Sequence, residues 1–162
     1  MKQISSSQLV ELAQNAQNSP RRRANLNLHD TLPDPVQRLA IAMEPDTLVR
    51  PHRHPHTWEL LYPLRGRFIV LYFDATGRVT DHTVLGEESA VVETPAGQWH
   101  AVLSLDIGGV IFEVKKGPYQ PIAEEDFSPW FCSQEPAEIA RLLDWYSSAK
   151  TGDRFNYAKH SD

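Results

Sequence analysis

Residues 51–66 read PHRHPHTWELLYPLRG, and the reading of the whole chain turns on them. Extended backbone sends alternate side chains to one face, so His52 and His54 can approach a single ion from a strand edge. His54 and His56 alternate in the same way. Glu59 opens the next extended stretch and can return a carboxylate to the same place, and Arg65-Gly66 closes the stretch as a turn. A second segment, Pro95-Ala96-Gly97-Gln98-Trp99-His100, is a tight turn that places His100 just inside the strand after it. Three neutral imidazoles and one carboxylate form a borderline ligand set. It suits Fe, Mn, Ni, Cu or Zn, and suits Ca or Mg poorly.

Outward from these segments the pattern is one of short strands. Extended stretches are expected at 36–43, 57–64, 68–73, 78–85, 90–93, 98–103 and 110–115, with turn residues between them. Asp106-Ile107-Gly108-Gly109 reads as a link that makes the last two a hairpin. No helix interrupts residues 36–116, which argues for an antiparallel sandwich or barrel rather than βαβ units. A helix is expected over 5–18, capped by Ser5, Ser6 or Ser7 and ended at Ser19-Pro20. Another is expected over 136–149, where Ile139, Leu142, Leu143 and Tyr146 recur at helical spacing. Residues 21–35 read as polar and irregular, and the last dozen as a polar tail that frays. The organisation is an N-terminal helix and arm (1–35), a β-barrel (36–119), and a C-terminal loop and helix (120–162).

Composition excludes several classes. At 162 residues, 41% hydrophobic and 23% charged, the chain sits near the globular average and is the length of one domain. No apolar run approaches the roughly 18–20 residues of a membrane span. The N-terminus lacks the apolar stretch of a secretory signal, so a cytoplasmic location is expected. A single cysteine, Cys132, rules out an internal disulfide framework and a Cys-rich zinc site. A net charge of −5 is opposite to that of a nucleic-acid binder. The one basic run, Arg21-Arg22-Arg23, reads as a solvated loop, with contact to phosphate or another anion as the alternative.

Together the two segments resemble the paired motifs of the cupin superfamily. His52, His54, Glu59 and Gly66 match the first motif; Pro95, Gly97 and His100 match the second. Asp46 stands where the first motif usually opens with glycine, and Ser104 where the second commonly ends in asparagine. The wider pattern is similar to the WbuC-type cupin metalloproteins of bacterial O-antigen and surface-polysaccharide clusters. It is carried by HRHPHTWELLYPLRG, TPAGQWHAV and FEVKKGPYQP behind a helical start. The resemblance implies a mainly β, antiparallel jelly-roll (RmlC-like) barrel and one divalent transition metal (Fe, Mn, Ni or Zn) on His52, His54, Glu59 and His100. It also implies a small ligand of sugar, nucleotide-sugar or carboxylate type, and a homodimer. Isomerisation, epimerisation and oxidation are all compatible with such a site. A sugar-binding or regulatory module and a purely structural metal site are the non-enzymatic alternatives.

Strand parity supplies further candidates. The motif spacing favours His52 with His54, leaving His56 as a pocket residue. Gln98 and Val102 share the face of His100, and Leu61 that of Glu59. Tyr72 can offer a hydroxyl. Arg38 falls with Ala40 and Ala42, opposite Leu39, Ile41 and Met43. Facing inward it would anchor a carboxylate or phosphate; facing outward it is solvated. Glu113 is either a pocket acid or half of an outer salt bridge. His29 and His82 are expected at the surface.

Overall fold

The computed structural model describes residues 1–156. In chain order it holds α1 (Ser6–Asn18), β1 (Arg23–Asn27), β2 (Val36–Met43), β3 (Glu59–Arg65), β4 (Phe68–Phe73), β5 (Val79–Leu85), β6 (Val92–Thr94), β7 (Trp99–Ser104), β8 (Gly109–Lys116) and α2 (Pro136–Ser148). The strands form two antiparallel sheets, one ordered β1-β2-β8-β3-β6 and the other β5-β4-β7. Their facing sides close into the jelly roll of the cupin fold.

The apolar sequence FIVLYF of β4 has no polar face because both of its faces are covered. Phe68 and Val70 point into the barrel with Ile41, Met43, Leu61, Val102 and Ile111. Ile69, Leu71 and Phe73 point outward, where Leu142 and Tyr146 of α2 pack on them with Phe131 and Phe155. On the opposite side, Leu12 and Ala16 of α1 cover Ala40, Ala42 and Val110. Each helix therefore buries its apolar stripe on the outer face of one sheet. Ser5 caps α1 through a capping box with Gln8.

Two expectations are corrected. Residues 21–35 are not wholly irregular: Arg23–Asn27 pairs with Leu39–Met43 as an edge strand. Its sequence alternates polar and apolar, and Ala24 and Leu26 pack toward α1. Nor are β7 and β8 a hairpin. β7 pairs with β4, whereas β8 lies between β2 and β3, so the link at Asp106–Gly109 crosses from one sheet to the other. The tail reading falls partly on residues 157–162, outside the described residues.

Candidate metal centre

The two histidine segments are joined by backbone. His52 and His100 form a one-residue antiparallel bridge, their N–H groups donating to each other's carbonyls at 3.0 and 2.9 Å. Gly97 N–H donates to His54 carbonyl at 3.0 Å. Gly97 sits at φ +79, a conformation that glycine adopts without steric cost, and this lets the turn meet the histidine segment. The far side of that segment is also held. Ser128 N–H donates to Pro51 carbonyl, Arg53 N–H to Asp126 carbonyl, and Arg53 Nε to Asp126 Oδ1 at 2.8 Å.

This framework brings His52, His54 and His100 together, all buried, with ligand nitrogens within 4.8 Å of one another. The Nδ1 atoms of His52 and His100 lie 2.8 and 3.0 Å from the carbonyls of Arg50 and Gln98. Donating there, each ring turns Nε2 toward the shared space, an orientation suited to metal ligation. Glu59 borders the trio: its carboxylate is 3.2 Å from His100 Nε2, 3.5 Å from His54 Nε2 and 3.6 Å from Lys115 Nζ. Lys115 also pairs with Glu113 at 2.7 Å.

Burial, and then the charge of His100, push His52 down to about 3, so it stays neutral. Burial also works against a charged His100. The hydrogen bond and charge of Glu59 outweigh it and raise His100 above the ordinary imidazole range. The same hydrogen bonds hold Glu59 well below the usual carboxylate range despite its burial. Burial and the neighbouring Glu59 charge lift Glu113 to about 7.

The trio opens into a cavity of about 710 Å³. Leu39, Ile41, Leu61, Val102 and Ile111 form its apolar wall, and Glu59, Glu113 and Lys115 its charged floor. Arg21, Arg23, Asn25, Asn27 and His29 line another side.

The remaining sequence candidates lie elsewhere. Arg38 is outside the cavity lining, against Asp34 at 3.3 Å, because β2 turns that face away from the barrel. His56 is exposed, its ring centroid 6.5 Å from that of His54. Gln98 spends its amide on the Phe73 and Trp99 carbonyls. Tyr72 lies opposite His100 in the ladder, and its hydroxyl bonds to Thr94 Oγ1 at 3.0 Å. His29 is a correction: it is only 5% exposed and lines the cavity rather than the surface. Lys115, Asn25 and Asn27 were not singled out by sequence reasoning, and Arg23 only as part of the basic run. The signal for β1 was the alternation in Arg23-Ala24-Asn25-Leu26-Asn27-Leu28-His29, and for Lys115 its parity with Glu113.

Two antiparallel sheets closed around a buried histidine cluster make a barrel of cupin fold. The chain belongs to the family described as Domain of unknown function (DUF6016), whose model matches residues 4–85. The matched stretch includes His52, His54 and Glu59. Among solved structures, the chain is similar to TT1209 from Thermus thermophilus, with 16% identity, TM-score 0.54, and coverage of 72% of this chain and 97% of that one. It is similar to KdgF from Halomonas sp. (16% identity, TM-score 0.50, 64% and 85% coverage). It is also similar to the DMSP lyase DddQ from Ruegeria pomeroyi (19% identity, TM-score 0.50, 64% and 52% coverage). At these identities the likeness is one of fold. Comparison with curated proteins gives no match.

Proposed function

We propose that this chain is a metal-dependent cupin in which His52, His54 and His100, with Glu59, hold one divalent transition ion at the floor of a ligand cavity. The observation that carries the reading is the buried trio, with ligand nitrogens within 4.8 Å, opening into about 710 Å³. The donor set fits such an ion: imidazoles anchored through Nδ1, and a carboxylate beside two of them. When bound, the ion supplies Lewis acidity toward an oxygen-bearing ligand. The chain supplies the rest. The apolar wall excludes water, and Lys115 pairs with Glu59 and Glu113 and offsets part of their charge. The ligand is of sugar or carboxylate type, a reading supported by the sequence resemblance to the WbuC-type proteins and by the polar cavity wall. Four protein ligands leave open positions on six-coordinate Fe, Mn or Ni but fill a tetrahedral zinc site.

Metal analysis of untagged protein is the test. About one equivalent of Fe, Mn or Ni per chain is expected, lost in His54→Ala and His100→Ala and retained in His82→Ala. Zinc at the same stoichiometry would favour a structural role. No metal on purification and none taken up on titration would overturn the reading.

A further inference from the structure

Two arginines of the basic run that reads as a solvated loop, Arg21 and Arg23, line the cavity, while Arg22 pairs with Asp46. β1 and its extensions place Arg21, Arg23, Asn25, Asn27 and His29 along one face, and that face lines the chamber. The alternate residues Ala24 and Leu26 are committed to the α1 side, which fixes this orientation. Arg23 is half-buried and, among the described residues, forms no ion pair. Burial lowers its guanidinium from the ordinary range. The charges of Glu113 and Glu59, which line the same cavity, act on it in the opposite sense.

His29 adds an independent sign. It is 95% buried by its 5% exposure, and its Nε2 has no partner. Its Nδ1 lies 3.0 Å from Arg38 N–H. It also lies 2.9 Å from the Arg38 carbonyl, which accepts Leu28 N–H at 2.8 Å as well. The Arg38 N–H can only donate, so with Nδ1 as its acceptor the ring proton sits on Nε2, where no partner receives it. Arg50, also in the lining, has a buried and unpartnered Nε, while its Nη2 lies 3.6 Å from Glu124 outside the cavity. The lining holds four cationic side chains (Arg21, Arg23, Arg50 and Lys115) against two carboxylates, Glu59 and Glu113, in a chain of net charge −5. An excess of donors and positive charge concentrated in one concavity of an acidic protein is the complement of an anion.

We propose that the ligand of this cavity carries an oxyanion group, a carboxylate or a phosphate, and that Arg23 binds it with support from Arg21 and His29 Nε2–H. The inference rests on the metal-centre reading only in assigning the ligand's other end to the histidine trio. Phosphate and carboxylate share this chemistry, and the test separates them.

Inorganic phosphate, malonate and uncharged glucose are titrated calorimetrically into wild-type protein, Arg23→Gln, Arg23→Lys and Arg21→Gln, each with its metal content measured. Phosphate or malonate is expected to bind and glucose to bind more weakly; the tighter anion names the group. Arg23→Gln should weaken the anion by about tenfold or more. Arg23→Lys should recover part of that loss. Arg21→Gln, altering an exposed side chain, should give a smaller loss that shrinks further with added salt. Metal content should stay unchanged throughout. Binding of neither anion to the wild type, or equal affinity in Arg23→Gln and wild type, overturns the inference. Should Arg23→Gln fail to fold, undiminished affinity in Arg21→Gln at low salt overturns it instead. Anion binding lost in Arg23→Gln in a protein that takes up no metal would sink the metal-centre reading and leave this subsite standing.

Discussion

His52 and His100 share a few ångströms of space under opposite influences. Burial keeps the first neutral; the hydrogen bond and charge of Glu59 favour the protonated form of the second. An ion must displace that proton, so metal uptake releases it and apparent affinity rises with pH until His100 is neutral. In the metal-free protein the sign reverses. A raised imidazole pKa contributes stability that is full below the unfolded value of about 6.5 and is lost as pH rises through the folded value. The melting temperature of chelator-treated protein should therefore fall as pH climbs above about 6.5, and Glu59→Gln should flatten that slope. The metal-loaded protein should show no such fall. The histidines and Glu59 were legible as a group because chemistry confines them to two short segments. His29 was not, because its burial depends on a strand that the sequence reading did not supply.

At the level of elements, the clearest contrast is between β4 and β1. β4 announces itself through six consecutive strand-forming residues, since both of its faces are buried. β1 is short and sits at the sheet edge, and its inward face is polar because the chamber is polar. Asparagines and arginines that look like loop composition are there the working face of a strand. The β7–β8 link failed for another reason. A four-residue connection is compatible with a hairpin, and only the pairing of β8 with β2 and β3 shows that it crosses between sheets. Helix α2 closes the outer face of β4, with Leu142 fully buried there. Leu142→Ala should cost about 2–5 kcal/mol in urea unfolding while leaving metal stoichiometry intact in the folded protein. Ser5→Ala, removing the cap of α1, should cost about 1 kcal/mol by the same measurement.

For the molecule as a whole, the segment after the barrel is more than an appendage. It covers β4 through α2, and it grips the histidine segment through Asp126, Phe127 and Ser128. Arg50 stacks over Phe127 at 4.3 Å, and Arg53 over Trp99 at 4.7 Å, so both arginines flanking His52 are held in place. Asp126→Ala keeps every candidate ligand and the backbone bond to Arg53 but removes the carboxylate that holds the Arg53 side chain. It should lower metal affinity by about tenfold in competition with a chelating dye, with little change in far-ultraviolet circular dichroism.

That grip also sets an order of events. Arg53 and Asp126 are 73 residues apart in the chain, and the histidine segment gains its second neighbour only through Asp126, Phe127 and Ser128. A ribosome delivers His52 and His54 first, His100 later, and the clasp after all three. Nascent chains shorter than this carry all the ligands without the frame that aligns them. Loading with an ion would thus follow the closing of this clasp, and a chain stalled before Asp126 would leave its histidines open to whatever ion it met.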